Sequence, residues 1–169
     1  MVVLWRLGLG RWVNLWPRVG GQVMVLVNVG RRTGLRRRTP LNYAIVDGDV
    51  YCTAGFGRIS DWYKNVAKNP EVEVWLPEGW WAGTATDVSD SQSGLALLRQ
   101  VLVGSGIASH LAGIHPRSVS DAELSRLTSE YRVLRIQRTE QLSRPGGPGD
   151  LMWVWPVATL VLGVLLALR

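Results

Sequence analysis

Cysteine and histidine are scarce in this chain. Among its 169 residues there are one cysteine, Cys52, and two histidines, His110 and His115. A single cysteine excludes a disulfide within the chain, and no group of cysteines and histidines has the spacing of a metal site. We therefore predict no metal ligands. We interpret Cys52, which lies in a strand-like stretch, as a small buried residue.

Lysine is scarce too, since only Lys64 and Lys68 are lysines among the 19 basic residues. Residues 1–60 contain nine arginines and two aspartates, and their net charge of +7 compares with +6 for the chain. Five of these arginines lie in GRRTGLRRRTP, residues 30–40. Arginine forms paired hydrogen bonds with phosphate and carboxylate, so the segment predicts a specific anion site. A solvated charge run or a contact with anionic lipid is the alternative.

A nucleic-acid partner is not predicted. Binding of nucleic acid needs a wide basic stripe interleaved with aromatic side chains that stack on bases. After residue 60 the net charge is −1. Many of the tryptophans, moreover, cluster towards the two ends of the chain.

The C-terminal segment has the composition of a membrane span. Residues 151–168 read LMWVWPVATLVLGVLLAL, 18 residues without a charge. As a helix they would extend about 27 Å, close to the thickness of a bilayer core. Trp153 and Trp155 stand where an aromatic belt would lie. We predict a transmembrane helix at 151–168, in contact with membrane lipid, with a buried terminal helix as the alternative.

The flanking residues predict the orientation of that span. A Pro/Gly linker, RPGGPGD at 144–150, precedes it. Arginines are frequent before the linker, whereas only Arg169 follows the span. The positive-inside rule therefore predicts a single C-terminal span in the cell membrane, with the globular domain in the cytoplasm.

Residues 1–20 have the pattern of a basic amphipathic helix. Trp5, Leu9, Trp12 and Trp16 fall within about 60° of one another at ~100° per residue, and the arginines lie off this stripe. Such a helix either lies in the headgroup region of a membrane or covers the core of its own domain. The pattern is compatible with both.

Residues 21–143 carry the short apolar runs of a β domain. Asp47-Gly48 between two such runs is typical of a hairpin, and a helix is predicted over 61–69, because Ser60 can cap it and Pro70 ends it. Six antiparallel strands with two or three helices predict a small barrel, closed or half open. The predicted strands are 23–29, 37–46, 50–56, 72–76, 80–88 and 131–137, and the further helices are 89–103 and 121–128.

Three consecutive segments resemble the deazaflavin-dependent nitroreductase family, a branch of the split β-barrel flavin-binding proteins. They are GRRTGLRRRTPLNY (30–43), DGDVYCTAGFGR (47–58) and SDWYKNVAKNPEVEVWL (60–76). The family pattern is a G-R-[KR]-[ST]-G-x-x-R turn, a Pro-Leu pair, a small-residue stretch with glycines, and a W-Y-x-N-[LV] helix that ends in N-P. The resemblance covers residues 23–88 in order and spacing, and both ends lie outside it.

The resemblance implies a mainly β (α+β) fold, a six-stranded antiparallel split β-barrel with flanking helices, to which the sequence adds the C-terminal transmembrane helix. It also implies coenzyme F-420 as cofactor, with FMN as the alternative. The phosphate and oligoglutamate tail of F-420 would then be the anion. The residues implied for phosphate and tail are Arg31, Arg32, Thr33, Gly34 and Arg37. Those implied around the deazaflavin ring are Pro40, Asn42, Ala54, Gly55, Phe56, Gly57, Trp62, Tyr63 and Asn65.

Four positions depart from the family pattern or exceed it. Phe56 stands where some members carry lysine, and Asn42 where some carry tyrosine, so these positions bear on the contacts to the ring and on substrate preference. Arg36 and Arg38 are additional to the pattern, and we expect them to pair with carboxylates of the tail.

The implied function is that of a membrane-anchored oxidoreductase, in which a hydride passes from reduced F-420 to a small quinone- or nitro-type acceptor. Such a reduction needs a proton donor, and the candidates are His110, His115 and Tyr63, with Tyr43 and Tyr131 as further options. A non-catalytic barrel that binds flavin, haem or lipid, or an accessory subunit of a membrane complex, is the alternative. Assembly as a homodimer is a further expectation.

Overall fold

In a computed structural model, which describes residues 1–15 and 20–168, six strands form a barrel that is flanked by short helices. The strands are β1 (Val23–Val29), β2 (Arg36–Val46), β3 (Asp49–Ala54), β4 (Glu71–Leu76), β5 (Gly79–Asp87) and β6 (Arg132–Gln141). The helices are α1 (Val2–Arg6), α2 (Gly10–Val13), α3 (Asp61–Lys68), α4 (Gly94–Gly104), α5 (Ile107–Leu111), α6 (Asp121–Leu127) and α7 (Val154–Ala167). A single 3₁₀ turn, Gly57–Ile59, precedes α3.

The sheet closes on itself in the order β1-β2-β3-β6-β5-β4, and every neighbouring pair is antiparallel. The β2–β3 hairpin turns at Asp47 and Gly48, whose φ angles of 50° and 85° are both positive. Positive φ at both central residues is the requirement of the hairpin turn that Asp-Gly favours. The local sequence therefore explains this turn.

Strand β2 is divided between two neighbours. Residues 36–42 pair with β1, and residues 43–46 pair with β3. Among the described strands, the first half of β2 is thus bonded along one edge only. Pro40 lies in this half, where its missing N–H costs no ladder hydrogen bond on the free edge.

Alternation along β1 separates two layers of the core. Met24 and Leu26 point into the barrel, where they pack with side chains such as Val74 and Ile136. Val25 and Val27 point outwards and pack against a second cluster on the outer wall, formed with Trp5, Trp75 and Trp80. Helix α4 covers another part of the wall with Leu98, Val101 and Leu102. The period of two along a strand accounts for this division.

The N-terminal segment forms two short helices rather than one. Gly8 lies between them with a φ of 79°, a conformation that favours glycine and interrupts the helix. As a result Trp5 is 3% exposed and Trp12 is 68% exposed, so the predicted apolar stripe does not share one face. Trp16 lies outside the described residues.

The predicted C-terminal transmembrane helix is wrong, and the fold class and the cell-membrane location are corrected accordingly. Residues 151–153 form turns, and the helix extends from Val154 to Ala167, which is 14 residues. At ~1.5 Å per residue it is about 21 Å long, whereas a bilayer core is about 30 Å thick. Within residues 1–15 and 20–168, no helix combines the length and the apolar character that crossing a membrane requires. The predicted contact with membrane lipid has no support either.

Candidate functional site

The arginine-rich segment begins with a tight turn between β1 and β2. The carbonyl oxygen of Gly30 accepts hydrogen bonds from the amides of Thr33 (3.2 Å) and Gly34 (2.8 Å), and the Gly30 amide donates to the Leu35 carbonyl (2.8 Å). Gly34 has a φ of 67°, which a residue with a Cβ adopts only with strain. These bonds hold residues 31–33 at the tip of the turn.

Helix α3 lies beside the turn and binds Arg31. The Oδ1 atom of Asn65 accepts from the Arg31 amide (3.1 Å) and from its Nη1 (3.0 Å). Asp61 pairs with Nη2 of Arg31 at 2.9 Å. This hydrogen bond, reinforced by the charge of Arg31, lowers the pKa of Asp61. Arg31 is therefore a structural member of the turn as well as a source of charge.

The five arginines of the segment divide into two groups. Arg31 pairs with Asp61, Arg36 with Glu73, and Arg38 donates to the Gly146 carbonyl oxygen at 3.1 Å. By contrast, Arg32 and Arg37 are exposed and have no hydrogen-bond acceptor among the residues that the structure describes. Their guanidinium groups are thus available to an external anion.

A cleft of about 700 Å³ contains all five of these arginines, and we call it the arginine cleft. Thr33, Thr39 and Trp62 also line it, together with Asp61 and Asn65. Val2 from the N-terminal helix completes the lining. The cleft therefore combines cations, hydroxyl groups and one aromatic side chain.

A second cleft, of about 480 Å³, lies further along β2, and we call it the apolar cleft. Residues 36–39 of β2 line the arginine cleft, and residues 40–42 line the apolar cleft. The half of β2 that is bonded on one edge thus connects the two. Its other lining residues are Thr53, Gly55, Phe56, Leu102, Ser105, Ala108, Ser109, Ala112 and Tyr131.

Glycines shape one wall of the apolar cleft. Gly57 has a φ of 53°, and a Cβ placed on it would lie 2.0 Å from the carbonyl oxygen of Glu130. A Cβ on Gly55 would lie 3.6 Å from Cζ of Tyr131, so the tyrosine ring packs directly over this backbone. Small residues here let the segment after β3 approach the segment before β6 closely.

The sequence-predicted site residues fall into three sets in this structure. Those that line the arginine cleft are Arg31, Arg32, Thr33, Arg37, Trp62 and Asn65. Those that line the apolar cleft are Pro40, Asn42, Gly55 and Phe56. Those that line neither cleft are Gly34, Ala54, Gly57, Tyr63, His110 and His115. Gly34 and Gly57 nevertheless shape the turns that border the clefts.

Three of the candidate proton donors, Tyr63, His110 and His115, line neither cleft. The Tyr63 hydroxyl donates to Asp87 at 2.5 Å, and burial together with this bond raises the pKa of Tyr63. His110 and His115 stack edge to face, with ring centroids 5.0 Å apart, and His110 lines a separate cavity of about 360 Å³. The His110 Nδ1 atom lies 3.2 Å from the Gly106 carbonyl oxygen.

One wall of the apolar cleft was missed by sequence reasoning. Its residues Ser105, Ala108, Ser109 and Ala112 lie in and around α5, between the predicted helices 89–103 and 121–128. Their spacing of i, i+3, i+4 and i+7 is that of one helical face. A small-residue face was therefore the available signal, although the nearby glycines obscured it.

Asn28 was also missed, because a lone asparagine in an apolar strand carries no motif. It lies in β1 and is 1% exposed. Its Oδ1 atom accepts from Nδ2 of Asn65 at 3.1 Å. Asn28 is therefore hydrogen-bonded to Asn65, the residue that binds Arg31.

Comparison with protein families identifies the family of this chain. The family model described as F420H(2)-dependent quinone reductase matches residues 5–106, which is more than half of the chain. The chain belongs to this family. It is thus an F-420-dependent oxidoreductase with coenzyme F-420 as its cofactor, and the family relation expected from the sequence is confirmed.

Solved structures share the fold of this family member at low sequence identity. A conserved hypothetical protein from Mycobacterium tuberculosis is 18% identical, with a TM-score of 0.51 over 81% of this chain and 89% of the other. HutZ, a heme storage protein from Vibrio cholerae, is 15% identical, with a TM-score of 0.51 over 76% and 89%. An F420-H2 dependent reductase, FDR-A, is 17% identical, with a TM-score of 0.49 over 69% and 94%. The first two likenesses show the barrel fold alone.

Proposed function

We propose that this family member reduces a quinone- or nitro-type acceptor with a hydride from reduced coenzyme F-420. One observation carries the proposal. The side chains of Arg32 and Arg37 have no hydrogen-bond partner among the described residues, and their cleft and the apolar cleft are lined by successive residues of β2. A cofactor with an anionic tail and a flat ring needs such a pair of adjoining environments.

The arginine cleft fits the phosphate and carboxylates of the tail. Arg32 and Arg37 supply guanidinium forks, and the Arg32 amide has no acceptor among the described residues. Thr33 adds a hydroxyl group at the tip of the turn. Arg31 orients the turn through Asn65 and adds positive charge, so these residues bind and orient the anion.

The apolar cleft fits the ring and the acceptor. When bound, reduced F-420 supplies the hydride, and the protein supplies orientation and exclusion of water. Pro40 and Asn42 are proposed to flank the ring on the β2 side, and Gly55 and Phe56 on the other. Phe56 is 80% exposed at the rim, which supports an acceptor with an apolar body.

Reduction of such an acceptor also requires a proton, and we propose that Tyr131 holds it at its hydroxyl group. Tyr131 lines the apolar cleft over Gly55, whereas Tyr63, His110 and His115 line neither cleft. A neutral tyrosine can donate its hydroxyl proton across a hydrogen bond to an acceptor oxygen. We expect Tyr131→Phe to lower kcat at least about tenfold with little change in the Kd of F-420.

Titration of the purified protein with oxidised F-420, followed by fluorescence, tests the cofactor site. We expect Arg32→Ala and Arg37→Ala each to raise Kd about tenfold or more, since each removes a charge-assisted hydrogen bond. Arg117→Ala is the matched control, because it removes the same charge from an exposed position outside both clefts. Unchanged affinity in both cleft variants, or preferred binding of FMN, would overturn the proposal.

The domain limits and the homodimer stay proposals. Residues 21–143 contain every lining residue of both clefts except Val2. We therefore propose this range as the cofactor-binding unit. Sedimentation equilibrium would test assembly as a homodimer.

A further inference from the structure

Asn28 is a polar residue at an apolar position of the barrel. Along β1 it follows Met24 and Leu26 on the row that points into the barrel, and all three are at most 1% exposed. In the β1–β2 ladder Asn28 stands opposite Arg37. An apolar side chain at this position would avoid the cost of burying a polar amide, so the presence of asparagine needs an explanation.

The donors and acceptors around the side-chain amides of Asn28 and Asn65 determine which atom of each amide is oxygen and which is nitrogen. The Arg31 amide and guanidinium can only donate, so the atom of Asn65 that faces them is Oδ1. Nδ2 of Asn65 then faces Asn28, at 3.1 Å from its Oδ1. The assignment of oxygen and nitrogen in both side chains therefore follows from Arg31.

These hydrogen bonds leave the Nδ2 group of Asn28 without a partner among the described residues. Its Nδ2 atom is buried and has no acceptor among the described residues. An unpaired buried donor is costly, so Asn28 does not gain stability from all of its polar atoms. The oxygen, in contrast, is the acceptor that holds Asn65 in the orientation that Arg31 needs.

We infer that Asn28 is a positioning residue for the anion site and acts through Asn65 on Arg31. Its side chain does not line the apolar cleft, and it forms no hydrogen bond with Arg31 itself. Instead its Oδ1 fixes the amide of Asn65, which in turn fixes the backbone and side chain of Arg31 beside Arg32. As far as it concerns cofactor affinity, this inference rests on the proposed function.

The first test uses the ligand-free protein and follows amide hydrogen exchange at Arg31 by NMR. Asn28→Leu removes the acceptor while keeping the branching at Cγ and the number of side-chain heavy atoms, and it places an apolar group in the barrel. We expect the protein to remain folded and the Arg31 amide to exchange about tenfold faster, because Asn65 is no longer held. Met24→Leu, on the same inward row, is the matched control and should leave this exchange unchanged.

The second test is a double-mutant cycle on the Kd of F-420. We expect Asn28→Leu to raise Kd about fivefold in the natural background, and less than about twofold when Asn65→Ala is already present. Equal factors in the two backgrounds would overturn the inference, because Asn28 would then act independently of Asn65. So would unchanged Arg31 exchange in a folded variant.

The tests remain decisive if Asn28→Leu does not fold and if the unmodified protein does not bind F-420. If Asn28→Leu does not fold, Asn28→Ser serves instead, since its hydroxyl is too short to reach Asn65, and the same changes are expected. If the unmodified protein does not bind F-420, the proposed function fails. The exchange measurement still decides whether Asn28 positions Arg31, because it needs no cofactor.

Discussion

Two groups of arginines in this protein differ in whether their guanidinium groups have hydrogen-bond acceptors among the described residues. On the outer wall, Glu73 accepts hydrogen bonds from Arg144, from Nε1 of Trp80 at 3.0 Å, and from Arg36, which also borders the arginine cleft. In the arginine cleft, Arg32 and Arg37 have no partner among the described residues. Arg36 and Arg37 are neighbours in β2, and neighbouring residues of a strand point to opposite faces.

The difference teaches that the density of charge along a sequence does not identify a binding site. An arginine whose fork is already filled by a carboxylate contributes to the fold and has little left for a ligand. An arginine that remains solvated can exchange water for an anion. The expectation that Arg36 and Arg38 pair with a cofactor tail therefore stays a prediction, and their protein partners argue against it.

The largest expected effect comes from removing Glu73, the acceptor that several side chains of the outer wall share. Glu73→Ala should lower the free energy of unfolding by about 2–3 kcal/mol, because two guanidinium groups and the Trp80 N–H lose their common acceptor. Urea unfolding measures this loss. The Kd of F-420 should change less than about threefold, and an increase as large as that of Arg37→Ala would erase the distinction between the regions.

A smaller effect is expected from salt, which should weaken the binding of F-420 through the exposed arginines of the arginine cleft. Raising the ionic strength from about 0.05 M to about 0.5 M should weaken F-420 binding about tenfold, because exposed charges are screened. The double variant Arg32→Ala with Arg37→Ala should lose most of this dependence. Titrations at several salt concentrations measure the slope, and an equal slope in the double variant would contradict the assignment.

The smallest effect concerns the ion pair that joins the two ends of the chain. Arg6 binds Asp150 through Nε, at 2.9 Å from Oδ1 and 3.2 Å from Oδ2, and through Nη2, at 2.7 Å from Oδ2, and this bonding lowers the pKa of Asp150. A lowered pKa means that the pair stabilises the fold above the ordinary value of 3.8. That contribution is lost as the pH falls through the lowered pKa.

Asp150→Asn should therefore cost less than about 1 kcal/mol near neutral pH, since the pair is partly exposed. Near pH 2 the variant and the natural protein should differ much less. Thermal unfolding at the two pH values measures the difference. A cost that is the same at both would show that the carboxylate charge contributes nothing.

Local patterns were sufficient for most of the barrel. The Asp47-Gly48 turn, strand β1 and the helix before Pro70 each depend on neighbours in sequence, and these elements lie within a few residues of their predicted bounds. The C-terminal segment shows the limit of this reasoning. Its composition resembles a membrane span, whereas its helix begins only after the turns at 151–153.

The sequence by itself determined the family, the strands and the turn that carries the arginines, because these depend on residue types at short spacing. Only the tertiary structure decided which arginines are already paired, and it also brought Asn28 under Asn65 and Tyr131 over Gly55. These contacts join residues far apart in the chain. Their partners are set by the closure of the barrel, which no local pattern records.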